Sequence, residues 1–246
     1  MLRALCRKFP VLEPLCESRC VSCSRPIPLQ PDRCTERTVC PSCSKALARR
    51  TVGFCSRCGD ITTSAHALPS PCGTCLKQPP EWDGFFFHGV YQGLLRDLIL
   101  RFKQGHELAL GDVLGSFLAM HPEITGEYDA IVPMPLHPSR LRERGFNQAL
   151  EAARPLAAKY GLPLEAEKLF RIGNTPPQAG LSLKERKENV RGMFATADVS
   201  GLRLLLVDDI ATTGASLESA VKALLRAGAS SVAVAVIART PMTETD

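Results

Sequence analysis

Four short apolar runs in the last two thirds of the chain predict strands. They are Phe85–Tyr91, Tyr128–Val132, Leu204–Val207 and Ser231–Ile237. The third run is unbroken and ends at a turn signal, which is typical of a strand that is buried on both faces.

Three stretches between and after these runs have apolar residues on one helical face. Helices are predicted over Leu94–Lys103, over Leu108–Ala119, and from Ser216 to a stop at Gly228. Another helix is predicted from Gly145 to about Tyr160. The order strand, helix, strand predicts an α/β fold, in which a parallel sheet is flanked by helices.

Candidate chemistry follows the third run, which reads Leu-Leu-Leu-Val-Asp-Asp-Ile-Ala-Thr-Thr-Gly-Ala-Ser from residue 204 to residue 216. Open α/β sheets bind ligands where strands end, and N–H groups at a helix N-terminus favour phosphate. Asp208 and Asp209 could accept sugar hydroxyls or hold Mg²⁺. The segment therefore predicts a sugar-phosphate site. The alternative is an ordinary strand-to-helix turn, whose acids and threonines only cap the helix.

Eleven cysteines point to metal binding, because eight of them form four Cys-x-x-Cys pairs. The pairs are Cys20/Cys23, Cys40/Cys43, Cys55/Cys58 and Cys72/Cys75. Sixteen residues separate the first two pairs and thirteen separate the last two, as in Cys₄ zinc sites. Sequential pairing is the simplest arrangement, and it predicts two structural zinc ribbons.

Other interpretations of the cysteines stay open at this point. Interleaved pairing and a [4Fe–4S] cluster both satisfy the ligand set, whereas disulfides need an oxidising compartment that nothing in the sequence supports. Cys6, Cys16 and Cys34 are left over, and Cys16 could substitute for a ligand.

Metal binding changes the meaning of the net charge, which is formally +5. Residues 1–80 carry 12 Lys and Arg against 5 Asp and Glu. Each zinc with four thiolates adds −2, so two centres bring the whole chain to about +1. The arginines of the ribbons could form a nucleic-acid surface or a merely solvated face.

Further candidate anion contacts lie between the strands. The turn Pro133-Met134-Pro135 lacks two N–H groups, so Met134, Leu136 and His137 would supply its donors. Lys103 ends a predicted helix and could contact a bound anion or be solvated.

Two basic stretches could also bind a polyanion. The three alternating arginines Arg140, Arg142 and Arg144 would face one direction if their loop were extended. The stretch Asn174–Phe194 predicts a mobile lid that closes on phosphates.

The segment 204–216 resembles the motif of type I phosphoribosyltransferases that binds 5-phosphoribosyl-1-pyrophosphate (PRPP). With Pro133-Met-Pro-Leu-His, Arg144-Gly-Phe-Asn-Gln, the stretch from Thr175 and the cysteine pairs, the whole chain resembles the ComF/GntX family. That family has a double zinc ribbon and a phosphoribosyltransferase domain, and it is associated with competence and with DNA uptake or utilisation.

The resemblance implies a set of site residues. Asp208 and Asp209 would contact the ribose hydroxyls of Mg²⁺-bound PRPP, and the segment Ala211, Thr212, Thr213, Gly214, Ala215 and Ser216 would cradle the 5′-phosphate. Arg186 would act as a catalytic flexible-loop residue. The pyrophosphate contacts would come from Met134, Leu136, His137, Lys103 and Arg144. Ile210 and Ser216 depart only conservatively from the usual Val and Thr.

Two classes of function follow from the resemblance. The first is an enzyme that transfers phosphoribosyl and releases pyrophosphate. The second is a PRPP-sensing or nucleotide-sensing adaptor, whose ribbons bind single-stranded DNA or a partner protein of DNA uptake. Either protein would consist of a double zinc ribbon over residues 1–80 and a phosphoribosyltransferase-like domain over residues 81–246.

The apolar runs also bear on location. None approaches the length of a membrane span, and charged residues break the first residues of the chain. We therefore expect a cytoplasmic protein without a membrane segment.

Overall fold

The computed structural model describes residues 18–27, 39–62, 64, 66–105, 107–125, 127–172 and 193–241. The chain divides into two compact units, residues 1–48 and 49–246. The division predicted from the sequence, between residues 80 and 81, falls inside the second unit. The second pair of Cys-x-x-Cys motifs therefore belongs to the same unit as the predicted sheet.

The described residues of the first unit form a two-stranded hairpin and one short helix. Strands β1 (Ser18–Arg19) and β2 (Pro26–Ile27) pair antiparallel, with Ser18 opposite Ile27. Cys20 and Cys23 lie in the turn of this hairpin. Helix α1 (Pro41–Ala46) follows Cys40 and contains Cys43. Both cysteine pairs of this unit thus lie on tight turns or at a helix start, where thiols can converge.

A four-stranded parallel sheet forms the centre of the second unit. Its strands are β3 (Phe85–Val90), β4 (Ala130–Pro133), β7 (Arg203–Ala211) and β8 (Ser231–Arg239). The spatial order is β3-β8-β7-β4, so β7 has a parallel neighbour on each side. Residues 204–207 are fully buried, as the unbroken apolar run predicted. The α/β fold with a parallel sheet is confirmed.

The second unit also contains helices and a separate strand pair. The helices are α2 (Gly73–Lys77), α3 (Gly93–Gln104), α4 (Ala109–Ala119), α5 (Pro138–Arg144), α6 (Gln148–Tyr160) and α7 (Ala215–Arg226). Of these, α4, α6 and α7 pack on the sheet. The separate pair consists of β5 (Leu169–Arg171) and β6 (Phe194–Thr196), which run antiparallel. No helix among the described residues has the length and apolarity needed to span a bilayer.

Helices α4 and α6 approach each other closely at a glycine. A Cβ atom placed on Gly115 of α4 would lie 2.3 Å from the carbonyl oxygen of Ala152 in α6. The missing side chain therefore lets the two helix backbones meet, and this contact fixes the position of α6 against α4.

The prediction that Arg140, Arg142 and Arg144 face one direction in an extended loop is wrong. All three lie in α5, which has Pro138 at its first position and ends at Gly145 with φ +76°. Successive residues of a helix turn by about 100°, so Arg142 points away from the side shared by its two neighbours.

Candidate ligand site and metal centres

Strand β7 delivers two carboxylates and a small-residue segment to one edge of the sheet. Asp208 and Asp209 lie near the carboxyl end of β7, and the segment 211–216 leads directly into α7. Gly214 has φ +81° and stands at the N-cap of α7, a conformation that a side chain would strain. Thr212 is exposed and Thr213 and Gly214 are half-buried, so this part of the segment is open to a ligand.

The two acids are held in close electrostatic contact with each other. The Asp209 N–H donates to Asp208 Oδ1 over 2.8 Å. Burial, followed by the charge of Asp209, raises the pKa of Asp208 to about 7, from 3.8 in the isolated residue. Asp208 is therefore partly protonated near neutral pH, and a ligand that brings hydroxyl donors or positive charge would favour its carboxylate form.

Lys103 pairs with the second acid of this site. Its Nζ lies 2.9 Å from Asp209 Oδ2, and the side chains are 18% and 11% exposed. Lys103 lies in the last turn of α3, so the helix carries this charge to the carboxyl edge of the sheet. The solvated alternative for Lys103 does not hold, because the ammonium group contacts the acid pair.

Arg171 is a component of the site that the sequence did not reveal. It ends β5 and is an electrostatic neighbour of Asp208 and of Arg140. Burial, followed by the charge of Arg140, lowers the pKa of Arg171, whereas Asp208 acts in the opposite sense. No local pattern marks this arginine, because the pairing of β5 with β6 spans residues that are distant in the chain.

The proline turn after β4 is fixed by hydrogen bonds. The Met134 N–H donates to the Val207 carbonyl over 2.8 Å, so it belongs to the sheet and is not the available donor that the sequence predicted. The amide nitrogen of Asn147 donates to the Met134 carbonyl over 3.0 Å. Leu136 and His137 are half-buried and remain the candidate backbone donors of this turn.

His137 and Arg144 have local structural partners at the two ends of α5. The His137 ring accepts from the Ser139 N–H and so caps the helix. Arg144 donates to Gln148 Oε1 over 3.1 Å. Gln148 is 1% exposed, and its Nε2 has no partner among the described residues. The motif Arg-Gly-Phe-Asn-Gln therefore braces the proline turn against α6.

Two groups of four cysteines confirm the sequential pairing. The first cysteine cluster comprises Cys20, Cys23, Cys40 and Cys43, and the second comprises Cys55, Cys58, Cys72 and Cys75. Within each cluster the sulfur atoms lie within 4.8 Å of one another, and all eight thiols are free. The described residues thus hold two sites for a tetrahedral ion.

The sulfur geometry fits zinc. Zn–S bonds of about 2.3 Å place the sulfurs of a tetrahedron about 3.8 Å apart. The Sγ atoms of Cys23 and Cys40 are 3.7 Å apart, and those of Cys58 and Cys72 are 4.0 Å apart. The Cys72 N–H donates to Cys55 Sγ over 3.2 Å, which stabilises a thiolate.

The second cluster packs against the sheet. Phe54, just before Cys55, makes an edge-on contact with Phe87 of β3 at 5.0 Å between ring centroids. A Cβ atom on Gly59 would lie 2.4 Å from the Phe85 ring, so only glycine fits beside this strand. This cluster is therefore built onto the sheet's edge.

Several predicted residues lie outside the described part of the chain. They are Arg186 with the rest of segment 173–192, and the leftover cysteines Cys6, Cys16 and Cys34. Their proposed roles stay predictions.

Comparison with known proteins defines the class. Residues 149–246 match the family model of the phosphoribosyl transferase domain. The DNA utilization protein YhgH of Salmonella typhimurium is 35% identical over 210 residues, which cover 82% of this chain and 90% of that protein. Competence protein F of Haemophilus influenzae is 29% identical over 231 residues, covering 90% and 96% of the two chains. Competence protein ComFC of Bacillus subtilis is 29% identical over 214 residues, covering 81% of each.

The parallel sheet, with an acid pair and a helix start at one strand end, is thus that of a phosphoribosyltransferase domain. The relatives extend the match well beyond that domain, into the cysteine-rich region. The chain belongs to the ComF/GntX family.

We expect each cysteine cluster to bind one zinc ion, giving two per chain. Elemental analysis of an anaerobic preparation should find two equivalents, and the Cys20→Ser/Cys23→Ser variant should retain one, because the second cluster lies in the other unit. Iron in place of zinc would support the iron–sulfur alternative, and one equivalent or none in the wild type would contradict the two-site interpretation.

The raised pKa of Asp208 predicts a pH effect on stability. The folded protein binds more protons than the unfolded chain between pH 3.8 and about pH 7. The stability that this group contributes is therefore full at low pH and lost as pH rises through about 7. Asp208→Asn should raise the melting temperature of the ligand-free protein near pH 8 by at least about 2 °C, the effect of about 1 kcal/mol in a chain of this size.

Differential scanning calorimetry at about pH 5 and about pH 8 tests this expectation, because the predicted loss of stability falls between pH 3.8 and about pH 7. Comparing Asp208→Asn with the wild type at each pH cancels the contribution of His121, whose pKa is lowered to about 4 by burial. Exposed Asp97 of α3 gives the control variant, Asp97→Asn, which should leave the melting temperature unchanged. A melting temperature for Asp208→Asn equal to or below that of the wild type would refute the electrostatic assignment.

Proposed function

We propose that the second unit binds PRPP and transfers its phosphoribosyl group. The observation that carries this proposal is the meeting of two carboxylates and the N-terminus of α7 at the end of one buried strand. N–H groups at the start of α7 suit the 5′-phosphate, and Asp208 and Asp209 suit the ribose hydroxyls. Thr212, Thr213 and Ser216 supply further hydroxyl donors to the phosphate.

Positive groups around the acid pair suit the pyrophosphate end of the ligand. Lys103 Nζ has three donors, so it can keep Asp209 and also contact a phosphate oxygen. Arg171 supplies a guanidinium group beside Asp208, and Arg140 supplies a second one beside Arg171. Leu136 and His137 of the proline turn, with Arg144, would complete this end of the site, and Arg186 would join from outside the described residues.

Magnesium fits this site as an ion that is held mainly by the diphosphate. Mg²⁺ usually keeps several waters and takes only one or two carboxylates along with substrate phosphates. Lys103 already neutralises Asp209. The two acids are therefore better suited to bind hydroxyl groups and to supply only part of the ion's ligands than to surround the ion completely. Bound magnesium would supply charge neutralisation of the leaving diphosphate.

The reaction would proceed by displacement at C1 of the ribose. The bond from C1 to the pyrophosphate oxygen breaks, pyrophosphate leaves with the electron pair, and a nitrogen nucleophile of the acceptor bonds to C1. The cationic groups stabilise the negative charge that develops on pyrophosphate. No residue pattern identifies the acceptor base.

A non-catalytic adaptor is the second candidate function. The relatives are named for DNA utilization and for competence, and the first unit is compact by itself, with Arg19 and Arg25 exposed. We infer a link between this chain and the handling of DNA in uptake or use. In the adaptor the same site would sense PRPP or a nucleotide, and the ribbons would contact single-stranded DNA or a protein of that machinery.

We expect Asp208→Asn/Asp209→Asn to weaken Mg²⁺-PRPP binding by at least about 100-fold. Each charge-assisted hydrogen bond contributes about 1.5–3 kcal/mol, and 1.4 kcal/mol is a factor of ten in affinity. Isothermal titration calorimetry measures the change, with Asp97→Asn as an exposed acid-to-amide control. Equal affinity in the double variant and the wild type would refute the site assignment, provided that circular dichroism shows both folded.

Pyrophosphate release discriminates the two candidates. A transferase should release pyrophosphate from Mg²⁺-PRPP in the presence of its acceptor, so a screen of nucleobases with a coupled pyrophosphate assay should give at least one positive. Binding of PRPP without release for any base, together with binding of a single-stranded oligonucleotide, would favour the adaptor.

A further inference from the structure

Two backbone carbonyls of the Cys55–Cys58 turn accept hydrogen bonds from the domain that carries the proposed site. The indole N–H of Trp82 donates to the Arg57 carbonyl over 2.6 Å, and Arg239 Nε donates to the Cys58 carbonyl over 3.1 Å. Trp82 is 3% exposed and Arg239 is 2% exposed. Both donor side chains are therefore buried, and they hold the turn through its main chain.

Arg239 also holds the beginning of the segment 211–216. It ends β8, and its Nη1 donates to the carbonyls of Ala211 and Thr240, each over 3.1 Å. Ala211 is the last residue of β7, and its carbonyl also accepts from the Thr240 N–H over 2.9 Å. One guanidinium thus joins the carbonyl of a metal-ligand residue to the point where the segment leaves the sheet.

Trp82 reaches the same segment at Gly214. The tip of its ring lies 3.8 Å from a Cβ position on Gly214, the N-cap of α7. The ring packs on Phe85 of β3 at 5.7 Å between ring centroids. The two residues that hold the carbonyls of the Cys55–Cys58 turn therefore reach the segment 211–216 at two places, Ala211 and Gly214.

These links couple the two places energetically. Movement of the Cys58 carbonyl would leave the buried Arg239 guanidinium short of one acceptor, and a shift of the guanidinium to recover one would disturb its bond to Ala211. A metal ion would hold the turn, because four clustered thiolates need a cation between them. Loss of the ion should thus loosen the segment.

We propose that the second cysteine cluster is part of the ligand site, and that Arg239 and Trp82 are positioning residues through which its metal orders the segment 211–216. Metal at this cluster strengthens binding of the phosphate group, and bound ligand in turn retains the metal. The first cluster, whose ligands belong to the other unit, has no such effect. This inference rests on the proposed function for the identity of the ligand, Mg²⁺-PRPP.

Thiol alkylation of the zinc-loaded full chain tests the coupling, because linkage is reciprocal. Maleimide labelling is followed for each cysteine by mass spectrometry, with and without saturating Mg²⁺-PRPP. We expect the ligand to slow labelling of the second cluster by at least about 5-fold and to leave the first cluster unchanged. Equal protection of both clusters, or no protection of the second in a protein that binds the ligand, would overturn the proposal.

Arg239→Lys isolates the role of the guanidinium. A single ammonium keeps the charge but lacks the fork that reaches Cys58, Ala211 and Thr240 together. We expect two zinc ions per chain in this variant and loss of the ligand-dependent protection of the second cluster. Exposed Arg226 of α7 provides the matched control, Arg226→Lys, which should keep the protection. Undiminished protection in Arg239→Lys would refute its positioning role.

A ligand-free measurement separates failure of this inference from failure of the proposed function. Hydrogen exchange of peptides that cover the segment 211–216 is compared between the Cys58→Ser and Cys23→Ser variants. Exchange should be at least about 5-fold faster in Cys58→Ser and unchanged in Cys23→Ser. Unchanged exchange in both would overturn the coupling whether or not PRPP binds, and Arg239→Lys replaces Cys58→Ser if that variant does not fold.

Discussion

Parallel pairing of β7 on both sides determines where the functional groups of the second unit lie. Its register places Val207 beside Pro133 of β4, and Ala211 beside Arg239 of β8. The proline turn, the acid pair and the buried arginine therefore meet at one edge of the sheet. Because β7 is buried on both faces, its end cannot shift without breaking two hydrogen-bond ladders. The main chain, more than any side-chain contact, positions the site.

The same edge of the sheet brings together charged side chains of a kind that folded proteins seldom bury. Asp208 and Asp209 lie next to each other with little solvent, and Lys103 and Arg171 compensate them from two different elements. Groups with strongly shifted pKa values cluster at functional sites because binding needs them where stability does not. The ligand-free protein thus holds two neighbouring acids whose proximity is unfavourable. A polar ligand would supply the hydrogen-bond donors that they lack.

Local spacing in the sequence accounts for the parts of the site that could be predicted. The Cys-x-x-Cys pairs and the strand-to-helix segment after Val207 are formed by residues close together in the chain, so the sequence predicts both and favours sequential pairing of the cysteines without excluding interleaved pairing. Arg239 and Cys58 are 181 positions apart, so no local pattern could place them in contact. Arg171 is hidden for the same reason.

The helix that contains Arg140, Arg142 and Arg144 could have been predicted from the residues on either side of it. The arginines from Arg140 to Arg144 alternate as in a strand, but Pro138 and Gly145 bracket them in the positions typical of a helix start and a helix end. Helix boundaries carried more information here than the charge pattern. The identity of the phosphoribosyl acceptor has no comparable signal, because it depends on the shape of surfaces formed by distant segments.

The hydrogen bonds to the Cys55–Cys58 turn have a consequence for how the family can vary. Trp82 and Arg239 contact carbonyl groups, which every residue possesses, so Ser56 and Arg57 can drift during evolution without loss of these bonds. Trp82 and Arg239 cannot vary in this way, because their side chains supply the N–H donors of these hydrogen bonds. Divergent relatives should therefore keep a large aromatic donor and a guanidinium at these two positions, even where the residues between their cysteines differ.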